Sequence, residues 1–175
     1  TYLHKEQKKI SNYLLSGKNI IASAPTSFGK SLLIEEIVAS KKYKNIVIIQ
    51  PTLALLDETR LKLKKYADDY KIIVRTSQPY SEDKRNLFLL TAERVMEYEP
   101  LPQIDFLIID EFYKLSLRRK DDRADTLNNA FLKVVNKFHP RFYFLGPNIA
   151  GITDGFAEKY DAIFYKSDFS LVDCN

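Results

Sequence analysis

The sequence predicts an α/β fold in three layers: a mainly parallel β-sheet with helices on both faces. Two observations carry that prediction. The strand-like segments, such as Ile46-Val47-Ile48-Ile49 and Phe142-Tyr143-Phe144-Leu145, are continuous apolar runs rather than apolar–polar alternations, which implies burial on both faces. Segments with helical periodicity lie between them, and alternation of strand and helix is the pattern of parallel strands joined by crossover helices.

The first strand is expected near Asn19 to Ser23, after a helical segment that carries Gln7. It leads through Ala24-Pro25-Thr26-Ser27-Phe28-Gly29-Lys30-Ser31 into the helical run Leu32-Leu33-Ile34-Glu35-Glu36-Ile37-Val38. A strand, a tight loop and a helix in that order make an anion site, because N–H groups of the loop and of the helix N-terminus converge on one point. Thr26, Ser27, Phe28 and Gly29 form the loop, Lys30 reaches the β- and γ-phosphates of a nucleotide, and the Ser31 hydroxyl suits Mg²⁺. The expected ligands are therefore ATP and Mg²⁺. Ala24 stands where the usual pattern begins with glycine.

The second strand, Asn45 to Ile49, is followed by Pro51-Thr52-Leu53-Ala54-Leu55-Leu56, and Leu56, Thr59, Leu63 and Tyr66 mark a helix. Further strands are expected at Lys71 to Thr76 and at Asn86 to Leu90, the latter running into Thr91-Ala92-Glu93-Arg94. Thr52 and Thr91 each follow a strand and begin a helix. That position suits two roles, capping the helix or offering a hydroxyl and the helix N-terminus to a backbone phosphate. In the second role both threonines would lie on an edge of the sheet facing away from the nucleotide.

The fifth strand, Ile104 to Ile109, ends in Asp110-Glu111. Such a pair is often only a solvated turn, but carboxylates at the carboxyl edge of a buried parallel strand, beside a phosphate loop, form a working pair. Asp110 would hold Mg²⁺, usually through water, and Glu111 would polarise the attacking water. The mixed-charge stretch Arg118 to Asp125 reads as a solvated loop, because acids offset the bases. Ala124, Leu127, Ala130, Phe131, Val134, Val135 and Phe138 then form one apolar helical stripe. The last strands are expected at Arg141 to Leu145 and Ala162 to Tyr165.

The 175 residues, 45% of them hydrophobic, suit a single domain with a substantial core. A formal net charge of +4 agrees with a nucleic-acid partner without establishing one. With Cys174 as the single cysteine, neither a disulfide framework nor a cysteine-based zinc site is expected, and His4 and His139 lack neighbouring ligands. No apolar stretch approaches the roughly 18 residues that span a bilayer, so no membrane partner and an intracellular location are expected. The start at Thr1 and the end at Asn175 suggest a segment of a longer protein. Most aromatic residues fall in core stripes, and Tyr80 and Tyr113 stand out as candidates for base stacking.

These motifs, in this order, resemble the first RecA-like domain of DEAD/DEAH-box superfamily 2 helicases and translocases, over residues 1–175. The resemblance implies a P-loop NTPase fold and ATP-dependent movement along, or remodelling of, DNA or RNA. It also implies adenine recognition by Gln7, backbone contacts by Pro51, Thr52, Thr91 and Arg94, and catalytic roles for Lys30, Asp110 and Glu111. Hydrolysis would require a second RecA-like domain in the same chain. Asp110-Glu111-Phe112-Tyr113 occupies the box itself, with atypical third and fourth letters. Gly146-Pro147-Asn148 stands where the family commonly has Ser-Ala-Thr, which favours translocation or remodelling over duplex unwinding. Three other readings remain: a P-loop ATPase or kinase with no nucleic-acid role, a translocase subunit of a restriction or antiviral defence system, and a degenerate domain kept for binding.

Overall fold

The structure is a computed structural model that describes residues 19–23, 30–110, 122–146 and 162–166. Its strands are β1 (Asn19–Ser23), β2 (Asn45–Ile49), β3 (Tyr70–Ile73), β4 (Arg85–Leu90), β5 (Phe106–Asp110), β6 (Arg141–Gly146) and β7 (Ala162–Lys166). They form one sheet in the order β3-β4-β2-β5-β6-β1-β7, and every pairing is parallel. The described helices are α1 (Lys30–Ala39), α2 (Leu53–Leu63), which continues as a 3-10 turn over Lys64–Tyr66, α3 (Ala92–Glu97) and α4 (Asp122–Phe138).

Two hydrophobic clusters, one on each face of the sheet, explain the uninterrupted apolar runs. Val47 and Ile49 of β2 join Leu107 and Ile109 of β5 and Phe142 and Phe144 of β6 in a cluster with α3 and α4. Ile46 and Ile48, Phe106 and Ile108, and Tyr143 face the opposite way, into a cluster with α1 and α2. Successive residues of a strand point to opposite faces, so a strand covered on both sides must be apolar throughout. Helix α1 contributes Leu33, Ile34, Ile37 and Val38, one stripe at helical spacing. Helix α4 contributes Leu127, Ala130, Phe131, Val134 and Val135, with Phe138 packed at the margin.

Three expectations are corrected. The third strand ends at Ile73 rather than Thr76, because the Gln78 side chain folds back and its Oε1 accepts the N–H groups of Val74 and Arg75 at 2.9 and 3.0 Å. With those donors taken, the strand stops. The mixed-charge stretch is not all loop, since Asp122 to Asp125 form the first turn of α4. Tyr80 is half-buried against the α3–α4 cluster, so packing takes part of the ring expected to be free for stacking; Tyr113 lies outside the described residues.

The amino edge of the sheet is closed by amides. Asn45 opens β2 and donates from Nδ2 to the Gln103 carbonyl at 2.8 Å, while its N–H goes to Asp105 Oδ2 at 3.0 Å. Asn86, fully buried in β4, donates from Nδ2 to Asn45 Oδ1 at 2.8 Å and to the Ser81 carbonyl at 2.7 Å, and accepts from the Ser81 N–H at 2.7 Å. Helices α1 and α4 end at residues with left-handed backbone, Lys41 (φ 56°) and His139 (φ 49°). That places His139 at a helix end.

Candidate nucleotide and nucleic-acid site

Residues with chemistry gather at the carboxyl edge. Asp110 is the last residue of β5 and only 4% exposed. Strand parity places it on the α1–α2 face, with Phe106 and Ile108. The register pairs Asp110 with Leu145 and Leu145 with Ala22, so Asp110 and the end of β1 lie at one level, two strand spacings or roughly 10 Å apart. Lys30 and Ser31 are the first two residues of α1. The end of β1, the start of α1 and Asp110 thus share one end of one face, a frame that suits a triphosphate with its cation. Gln7, Thr26, Ser27, Phe28, Gly29 and Glu111 lie outside the described residues.

A polar side chain the sequence reading passed over completes this end of the face. Gln50 directly follows β2, is 4% exposed, and donates from Nε2 to Asp110 Oδ2 at 3.2 Å. Its Oε1 accepts from Thr59 Oγ1 of α2 at 2.7 Å. The signal was the one that exposed Asp110: a polar residue ending an apolar strand. Tyr143, fully buried on the same face, has its hydroxyl pushed well above the ordinary tyrosine range by burial, with the negative charges of Asp110 and Glu36 adding to the effect.

The two threonines are helix caps. Thr52 Oγ1 accepts from the Leu55 N–H at 3.2 Å, and Thr91 Oγ1 accepts from the Arg94 N–H at 3.4 Å. The Gln50 N–H reaches the Leu90 carbonyl at 3.3 Å, so the exits of β2 and β4 are joined just before Pro51 and Thr91. Both threonines therefore stand on the same carboxyl edge as Asp110, displaced along it, and not on an opposite edge. With β5 and β6 between β2 and β1, Thr52 is three strand spacings, roughly 14 Å, from the end of β1.

Between α2, α3 and the exit of β3 runs a groove of about 350 Å³ lined by Leu53, Leu56, Asp57, Arg60, Val74, Arg75, Leu89 and Arg94. Arg94 donates from Nη1 to the Val74 carbonyl at 2.7 Å, which fixes its guanidinium at the wall. Arg60 and Arg75 are exposed and bring further positive charge, partly offset by Asp57, 3.8 Å from Arg60 Nε. Sequence reading found Arg94 but missed Arg60 and Arg75, because residues so far apart meet only through the fold. Helix α3 is anchored from behind: Lys133 of α4 donates to the carbonyls of Val95, Met96 and Tyr98 at 3.0, 3.2 and 3.0 Å.

Residues 4–141 match the family profile of the DEAD/DEAH box helicases. The chain belongs to that family. Among relatives of this helicase domain, Anti-bacteriophage protein B of Escherichia coli (strain K12) is 37% identical over 97% of the chain. Putative helicase 7 of the Sulfolobus islandicus filamentous virus is 27% identical over 93% of it. The domain spans 24% and 28% of the length of those two proteins. In fold it is similar to the crystal structure of the DUF1998 helicase MrfA bound to DNA and AMPPNP, with a TM-score of 0.65 at 15% identity, over 93% of this chain and 26% of that one. Among the described residues no helix is long and apolar enough to cross a membrane.

Proposed function

We propose that this helicase domain is the ATP-binding half of a motor that hydrolyses ATP to move along, or remodel, nucleic acid. The observation that carries the reading is Asp110, a carboxylate held at the end of a buried strand, level with the end of β1 and on the face of α1. Lys30 and the loop residues Thr26, Ser27, Phe28 and Gly29 bind the phosphates, Ser31 and Asp110 hold Mg²⁺, and Gln7 reads the adenine edge. The cation's part is to neutralise charge on the β- and γ-phosphates. Glu111 orients water for in-line attack, and positioning with electrostatics supplies the acceleration.

The arginine groove and the two capped helices form the track. Thr52 and Thr91 accept the cap bonds and keep their O–H groups to donate, so phosphate is gripped through these hydroxyls, through exposed N–H groups at the start of α2 and through Arg60, Arg75 and Arg94. Contacts of this kind hold the backbone and do not read bases. A second RecA-like domain of the same polypeptide closes the cleft and contributes the arginines that stabilise the transition state. Relatives about four times as long as this chain leave room for it.

The test is steady-state phosphate release by the full-length protein with and without single-stranded DNA or RNA. Stimulated turnover is expected, with little hydrolysis by residues 1–175 alone. Equal turnover in both conditions would leave a P-loop ATPase without a nucleic-acid role. The name of the Escherichia coli relative favours a narrower reading, a translocase in antiviral defence. Plaque counts on hosts that do and do not carry the full-length gene decide it, and equal counts would reject it.

A further inference from the structure

We propose that Gln50 and Thr59 are positioning residues that couple the phosphate site to the nucleic-acid track, because the Gln50 amide that holds Asp110 competes with the Leu55 carbonyl of helix α2 for the one Thr59 hydroxyl proton. The inference rests on the functional reading above and adds the connection between its two halves.

The geometry is a chain of polar side-chain contacts from the end of β5 to α2, two elements that also share one hydrophobic cluster. A carboxylate only accepts hydrogen bonds, so the amide Nε2 of Gln50 faces Asp110 Oδ2, at 3.2 Å. That orientation points Oε1 away from Asp110, at Thr59 Oγ1, 2.7 Å off. Thr59 Oγ1 also lies 3.0 Å from the carbonyl oxygen of Leu55, one turn earlier in α2. A hydroxyl has one proton to give. The Gln50 and Leu55 oxygens therefore compete for it, and the two outcomes differ in consequence. A threonine bonded to the carbonyl four residues back bends its helix slightly, whereas release of that carbonyl lets the turn relax.

Leu55 belongs to the first turn of α2, and its N–H is the one capped by Thr52. The same helix lends Leu53, Leu56, Asp57 and Arg60 to the groove. Any shift of the Asp110 carboxylate toward a cation pulls on the Gln50 amide, changes which acceptor holds the Thr59 proton, and alters the pitch of the turn that faces the track. Linkage makes the effect reciprocal, so nucleic acid settling on α2 biases Asp110 to the same degree. Gln50 and Asp110 are each 4% exposed, so water does not readily replace the bonds.

The experiment measures affinity of the full-length protein for fluorescent oligothymidylate and oligouridylate, with and without Mg·AMPPNP, in wild type, Thr59→Val, Thr59→Ser and Gln50→Met. Wild type is expected to change affinity about fivefold or more on adding Mg·AMPPNP. Thr59→Val keeps the side-chain shape and removes the proton; it should bring that ratio to about one while nucleotide-free affinity stays within about twofold. Thr59→Ser should restore the ratio, and Gln50→Met, a second way to cut the relay, should lose it. A wild-type ratio in folded Thr59→Val overturns the relay and leaves the motor reading standing. Wild type that binds but shows a ratio of one also overturns the relay alone. Wild type that binds neither oligonucleotide overturns both.

Discussion

The two ends of the sheet treat buried polar groups in opposite ways. At the amino edge, Asn45 and Asn86 spend most of their hydrogen bonds on main-chain groups of neighbouring loops. At the carboxyl edge, Gln50 links Asp110 to Thr59 through side chains, and Thr59 has two acceptors for one proton. Main-chain partners are fixed by the fold; side-chain partners can be exchanged. One edge closes the sheet onto its loops, and the other ties the ends of two strands to helix α2.

The sharpest way to break this contrast is to injure each edge in turn. Lys30→Ala should lower ATP affinity tenfold or more, since each charge-assisted contact to phosphate is worth about 1.5–3 kcal/mol. Turnover should fall by roughly 10²–10³. Calorimetric titration and phosphate release check both figures, and the unfolding midpoint should stay put. Asn86→Ala should do the reverse. It leaves Asn45 Oδ1 and the Ser81 N–H and carbonyl without their partner. Buried groups left unsatisfied cost about 1–3 kcal/mol each, so a loss of about 3 kcal/mol in urea unfolding is expected, with nucleotide affinity of the folded fraction unchanged.

A third measurement uses pH to sharpen the contrast. Burial pushes Tyr70, at the start of β3, from the usual 10 up to about 12, and its hydroxyl donates to the Tyr43 carbonyl at 3.2 Å. The folded state favours the neutral phenol, so this stabilisation is complete below pH 10 and is lost as pH rises from 10 through 12. Urea midpoints across that window should fall, and Tyr70→Phe should flatten the fall. The smallest effect concerns Tyr143 on the site face. Its buried hydroxyl has no hydrogen-bond partner among the described residues. Tyr143→Phe should be neutral or stabilising by up to about 1 kcal/mol, because an apolar replacement of the same shape removes a desolvated group. A clear destabilisation would mean that the hydroxyl has an acceptor.

Much of this architecture was legible in advance. Each of the seven described strands overlaps an apolar run, with β3 ending early, and the strand–loop–helix spacing around Lys30 and the acidic end of β5 pointed to segments that share one end of one face. Those signals are local, since a run, a cap or a turn is written in consecutive residues. What escaped was non-local. Gln50 and Asp110 are sixty positions apart and meet because β2 and β5 pair in parallel. Arg60, Arg75 and Arg94 converge only because α2, the exit of β3 and α3 surround one groove. Thr59 was read as one more position in a helical stripe, and its two acceptors became visible only with coordinates.

The Gln78 side chain that ends β3 has a consequence for life in a crowded solution. Strand β3 pairs with β4 alone and lies at the border of the described sheet, where a row of vacant donors would invite a strand from another molecule. Gln78 claims the N–H groups of Val74 and Arg75 before a stranger can, and Lys71 adds charge along the four-residue strand. A glutamine that looks like loop filler thus occupies two donors at the open end of an edge strand.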